Sequence, residues 1–133
     1  MASFKIKGGK KLSGEITPQG AKNEALQILS AVLLTPKKVV INNIPDIVDV
    51  NKLIEIIGDL GVKIEKLGKG SYSFQATHIN LEHLFTDDFR DKGAGLRGSI
   101  MIVGPLLARF GQAAIPRPGG DKIGRRRLDT HFI

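Results

Sequence analysis

At 133 residues and 41% hydrophobic content, the chain can bury one modest core, so one domain or part of one is expected. It has no cysteine, its three histidines (His78, His83, His131) show no ligand spacing, and no apolar stretch free of Gly, Pro and charge is long enough to span a bilayer; no disulfide framework, metal, cofactor or membrane span is expected, and the cytoplasm is the expected compartment. The formal charge of +7 points to an anionic partner, but one Tyr, six Phe and no Trp offer no aromatic and basic interleaving for stacking bases, which argues against nucleic acid.

Phe4-Lys5-Ile6-Lys7 and Leu12-Ser13-Gly14-Glu15-Ile16 alternate apolar and polar residues about Gly8-Gly9, the pattern of two short paired strands. From Lys22 to Leu34 the residues Ala25, Leu26, Ile28, Leu29, Val32 and Leu33 cover a broad helical face, and Thr35-Pro36 stops the run,. Val39-Val40-Ile41 reads as a strand. Asp46, followed three residues later by Asp49, is expected to cap a second helix whose Val50, Leu53, Ile54, Ile57 and Leu60 repeat at helical spacing, with Gly61 ending it,. Val62 to Leu67 and Ser71 to Gln75 alternate around Gly68-Lys69-Gly70 and predict a hairpin,. The expected order to this point is βαβαββ.

The acidic passage from Glu82 to Asp91 reads as irregular. Gly93 to Ser99 then opens a third apolar run through Ile100, Met101, Val103, Leu106 and Leu107, expected to be helical, with a kink or a second start at Gly104-Pro105,. Gln112 to Ile115 is expected to be extended. Asp129-Thr130-His131 looks like the entry to another helix, and the chain reads as an excerpt from a longer protein.

Pro118-Gly119-Gly120-Asp121-Lys122-Ile123-Gly124-Arg125-Arg126-Arg127 is the densest chemistry in the sequence. Its glycines let backbone N–H groups approach an anion, and its Lys and Arg side chains give charge-assisted contacts to phosphate oxygens. Asp121 would repel such a ligand, so it reads as a proton-handling group. Lys22 after Gly20-Ala21, Arg97 after Gly93-Ala94-Gly95, and Arg125 to Arg127 after Gly124 repeat one theme: a cation beside backbone N–H groups that favour anions.

Gly20-Ala21-Lys22-Asn23, Asn43-Ile44-Pro45 with Asp49-Val50, Leu96-Arg97-Gly98-Ser99, Gly104-Pro105-Leu106-Leu107-Ala108-Arg109-Phe110-Gly111, and Pro118 to Arg126, in this order, closely resemble the UDP-N-acetylglucosamine 1-carboxyvinyltransferases, which are enolpyruvyl transferases. The resemblance covers essentially the whole chain. It implies part of an inside-out α/β barrel built from repeated βαβαββ-like units, with two domains and substrates in the cleft between them. Residues 1–21 would belong to the far domain, and residues 22–133 would form an incomplete first domain with an active-site loop at about 112–127. The remainder of the parent chain is the implied partner, and the full-length protein would be a monomer.

The implied reaction transfers the enolpyruvyl group of phosphoenolpyruvate to the 3-hydroxyl of UDP-N-acetylglucosamine and releases phosphate, the first committed step of peptidoglycan synthesis. By the resemblance, Lys22, Asn23 and Arg126 contact phosphoenolpyruvate. Arg97, Arg126, Arg127, Leu128, Asp129 and Thr130 contact the nucleotide sugar. Asp121 stands where the family's loop usually has a cysteine, and Arg127 where it usually has proline. An aspartate is ordinarily ionised at neutral pH; nearby phosphate would favour its protonation and the arginines would oppose it. Loss of the cysteine also implies resistance to fosfomycin, an epoxide that alkylates that thiol. The shikimate-pathway enolpyruvyl transferases are the nearest alternative, but they usually carry Asp-Lys-Ser where this chain has Ala21-Lys22-Asn23. A basic nucleic-acid-binding module is the alternative from another class.

Overall fold

The computed structural model describes residues 3–117 and 119. Helix α1 (Lys22–Ala31) tightens into a 3-10 turn over Val32–Leu34 and leads to strand β1 (Lys38–Ile41). Helix α2 (Val48–Asp59), strands β2 (Lys63–Gly68) and β3 (Ser71–Gln75), a 3-10 turn over Leu81–Phe85 and helix α3 (Asp87–Ala94) follow. A further 3-10 segment, Arg97–Ile102, runs into helix α4 (Val103–Phe110). The mixture of helices and strands makes the architecture α/β.

The three strands form one sheet in the order β1-β3-β2, antiparallel throughout. Val39 pairs with Phe74 and Ile64 pairs with Phe74 from the other side, so one face of the sheet is apolar across all three strands. Against it pack Leu29, Leu33, Leu53, Ile57, Ile102 and Leu106 in one buried cluster. The opposite face carries Lys38, Lys63 and Glu65. Alternation along each strand therefore decides which side of the sheet receives the helices.

Helix α2 follows from its sequence almost residue by residue. Val50, Leu53, Ile56 and Ile57 are buried, and the helix stops in a Schellman motif: Gly61 takes φ +99°, its N–H donates to Gly58 O at 2.8 Å, and Val62 N–H donates to Ile57 O at 3.2 Å,. Its start differs from expectation. Ile47 is the cap residue and no side chain caps the helix; the Asp46 carboxylate instead accepts from the Asn51 side chain at 2.8 Å.

Three more expectations are corrected, and a fourth, the second start at Gly104-Pro105, is met. Phe4, Ile6, Leu12 and Ile16 are about nine-tenths exposed and no strand forms over 3–20; an alternating segment needs a sheet to join, and none among the described residues receives it. The acidic passage is ordered: Asn80 Oδ1 accepts from His83 N–H, and Thr86 Oγ1 accepts from Phe89 N–H to begin α3,. The third apolar run is two pieces, a 3-10 segment and α4, in keeping with a second start near Pro105, which stands in the first turn of α4 where its missing N–H breaks no helical bond,. Gln112 to Ile115 forms no strand, although Ala113, Ala114 and Ile115 lean on the core.

Candidate substrate-binding site

The chain enters α1 through a crowded corner. A Cβ on Gly20 would overlap the carbonyl of Asn43 and stand 3.2 Å from the Pro45 ring, and Asn43 itself lies in the left-handed region at φ 59°, where Asn is among the side chains best tolerated. The Gly20-Ala21 and Asn43-Ile44-Pro45 motifs are thus two sides of one contact. Lys22 is the first residue of α1. Its Nζ donates to Asp49 Oδ2 at 2.9 Å, and Asp49 stands in the first turn of α2. A lysine at a helix N-terminus is repelled by the dipole; a carboxylate in the first turn of a second helix is favoured by it and draws the ammonium over. Asn23 follows in the first turn of α1 and is exposed.

Arg97, half-buried, opens the 3-10 segment that packs on α1. Leu26, one turn beyond Lys22 on the same face of α1, lies so near Gly98 that a Cβ there would be 2.9 Å from its Cδ1. Lys22 and Arg97 therefore border one seam between α1 and the 3-10 segment. The stretch that leads to residues 120–133 returns to the same region, since Gly119 N–H donates to the carbonyl of Ala94 at 2.8 Å. Asp121, Arg126, Arg127, Leu128, Asp129 and Thr130 lie outside the described residues. Of the expected site, Lys22, Asn23 and Arg97 have described positions.

Two polar centres were not visible in the local sequence pattern. Arg109 Nη1 donates to Leu33 O at 3.0 Å and to Ala76 O at 2.8 Å with its guanidinium 4.8 Å from the Phe110 ring, so the arginine of the Gly104 to Gly111 motif fastens α4 to two other segments. Lys92 Nζ lies 2.6 Å from Asp59, 3.2 Å from Glu55 and 3.2 Å from Asp88. The hydrogen bond to Asp59, then that to Glu55, raises its pKa above the ordinary lysine range. Asp59, His83 and Asp88 offer donor atoms within 4.8 Å of one another, a set that spacing along the chain does not reveal. The Lys92 ammonium already holds both carboxylates.

A family model described as EPSP synthase (3-phosphoshikimate 1-carboxyvinyltransferase) matches residues 6–132. A UDP-N-acetylglucosamine 1-carboxyvinyltransferase of Bacteroides fragilis is 62% identical over 133 residues, all of this chain and 31% of that protein. The enzyme of the same name from Porphyromonas gingivalis is 56% identical over the same span, again 31% of its length. The chain thus spans about a third of the curated relatives it matches. Among solved structures, the enolpyruvyl transferase NikO from Streptomyces tendae superposes with a TM-score of 0.58 at 24% identity, covering 78% of this chain and 23% of that one, a likeness of fold.

Proposed function

The chain belongs to the EPSP synthase family, and on that premise we propose that the protein containing it transfers the enolpyruvyl group from phosphoenolpyruvate to the 3-hydroxyl of UDP-N-acetylglucosamine, releasing phosphate for peptidoglycan synthesis in the cytoplasm. The observation that carries this reading is the seam at the start of α1, where Lys22 is held by Asp49 at 2.9 Å and Arg97 opens the segment packed on the same helix. The 62% identity to an enzyme named UDP-N-acetylglucosamine 1-carboxyvinyltransferase supports the UDP-sugar over shikimate 3-phosphate as acceptor.

Protonation of the phosphoenolpyruvate methylene makes C2 electrophilic. The sugar hydroxyl adds there to give a tetrahedral phosphoketal, and its collapse with C–O cleavage expels phosphate. Each step needs a proton donor at the methylene and fixed cations around the phosphate. We assign the donor to Asp121, the phosphate to Lys22 and Arg126 with Asn23 beside them, and the nucleotide sugar to Arg97, Arg126, Arg127, Leu128, Asp129 and Thr130. No metal or cofactor enters this scheme.

Residues 1–21 are assigned to the far domain and residues 22–133 to the incomplete first one. The outward Phe4, Ile6, Leu12 and Ile16 support this, since an exposed alternating segment is what a strand parted from its sheet leaves behind. The isolated 133-residue chain is then inactive, because half of the substrate enclosure is missing, whereas the full-length protein is an active monomer. Phosphate release by the full-length protein, measured with UDP-N-acetylglucosamine and with shikimate 3-phosphate, tests the assignment. Turnover with the nucleotide sugar alone is expected; turnover with shikimate 3-phosphate instead would overturn the choice of acceptor.

A further inference from the structure

Two glycines face each other's segments where the chain leading to Asp121 meets helix α3. Gly93 is buried in the last turn of α3, and a Cβ there would stand 2.8 Å from Cγ and 3.0 Å from Cδ of Pro116. Across the same junction Gly119 N–H donates to Ala94 O at 2.8 Å, and a Cβ on Gly119 would overlap that carbonyl. Neither glycine has a positive φ, so backbone conformation does not call for them. Close approach does.

The C-terminal end of α3 is well fixed to receive this segment. The Gly93 carbonyl accepts from Leu96 N–H at 3.2 Å and from Ser99 Oγ at 2.9 Å, while Ser99 is fully buried. The Ala94 carbonyl is one of the helix-end acceptors that lack an intrahelical donor, and Gly119 supplies one. In the same last turn, Lys92 ties α3 to Glu55 and Asp59 of α2. Both the ring of Pro116 and the amide of Gly119 thus dock on a helix end that is itself clamped from two sides.

We infer that Gly93 and Gly119 are positioning residues: they form a seat that sets where the chain enters the segment bearing Asp121, two residues beyond Gly119, and so align the proton donor without touching substrate. The kinetic consequence rests on the transferase reading above; the seat itself does not. Gly→Ala inside a helix ordinarily stabilises, but here the added methyl meets a proline ring that cannot rotate aside, so Pro116 and the chain after it must shift. Misplacement of a reacting group by about an ångström can cost on the order of a hundredfold in rate.

The test uses the full-length protein and two independent readouts. Hydrogen exchange at the Gly119 amide, followed by NMR on a glycine-labelled sample without substrates, should show protection in the wild type and its loss in Gly93→Ala. Steady-state phosphate release should show kcat reduced by about tenfold or more in Gly93→Ala, with the KM for UDP-N-acetylglucosamine little changed, and recovery in Gly93→Ala/Pro116→Ala, where the ring that the methyl strikes is gone. An unprotected Gly119 amide in the wild type, or unchanged kcat in a folded Gly93→Ala protein, overturns the inference. So does a double variant as slow as the single one. If the wild type releases no phosphate from these substrates, the transferase reading fails, and the exchange measurement still decides whether the seat exists.

Discussion

Removing the Lys22 ammonium should separate chemistry from folding. The Lys22–Asp49 pair is 2.9 Å long, but the two side chains are 43% and 39% exposed, and pairs this wet contribute about 0.2–1 kcal/mol to stability. Lys22→Ala in the full-length protein should therefore lower Tm by no more than a few degrees. Its kinetic effect is on another scale. Losing a charged contact to the phosphate in the transition state costs about a hundredfold or more in kcat/KM, which is about 2.7 kcal/mol of barrier. Asp49→Asn gives an internal control, because it keeps the charge on Lys22 and weakens the contact with residue 49; a loss smaller than that of Lys22→Ala, again with little change in Tm, is expected. The assay is steady-state phosphate release beside thermal unfolding of the same samples. Normal kinetics in Lys22→Ala would show that the phosphate does not bind at the start of α1, and a collapse of Tm in step with activity would show that the lysine acts through the fold.

Arg109→Met takes a charged donor from the carbonyls of Leu33 and Ala76, and should cost about 2–4 kcal/mol in chemical unfolding; a loss below about 1 kcal/mol would mean that the clamp is dispensable. Lys92 has its pKa raised on folding, so its contribution is complete below the ordinary lysine pKa of about 10.5 and is lost as pH rises through the higher folded value. The stability gap between wild type and Lys92→Met should accordingly hold constant from about pH 6 to 9 and narrow only in stronger base; narrowing at neutral pH would contradict the ion network. At the loop, Asp121→Cys should retain turnover and become time-dependently inactivated by fosfomycin, whereas Asp121→Asn should lose most turnover because an amide cannot cycle a proton. Equal covalent inactivation of the unaltered protein would remove the basis for assigning resistance to Asp121.

The elements legible in the sequence are those whose signal is local. Helix α2 declares itself through Val50, Leu53 and Ile57 and its Gly61 stop, and the β2-β3 hairpin through alternation about Gly68-Lys69-Gly70. The start of α1 at Lys22 follows from the motif that precedes it. What was missed depends on residues far apart in the chain. Asp49 is 27 positions from Lys22, and nothing in either neighbourhood marks the pair; Lys92 and Asp59 are 33 apart. The order in the acidic passage was legible in principle, since Thr86 precedes Asp87-Asp88 as a capping residue precedes an acidic first turn. Phe4, Ile6, Leu12 and Ile16 carry the alternation of strands, but a strand is a relation between segments, and no described segment pairs with them. Asp121 and the cations that follow it stand out by composition and family resemblance, and they lie outside the described residues.

The central claim is that the protein breaks the C–O bond of phosphoenolpyruvate and moves the three-carbon unit, not the phosphoryl group. Phosphoenolpyruvate labelled with oxygen-18 at the bridging position reads this directly when turned over by the full-length protein with UDP-N-acetylglucosamine. The account predicts that the heavy oxygen appears in the released phosphate and that the nucleotide sugar gains an enolpyruvyl ether. Heavy oxygen recovered in pyruvate, with the nucleotide sugar unchanged or phosphorylated, would contradict it.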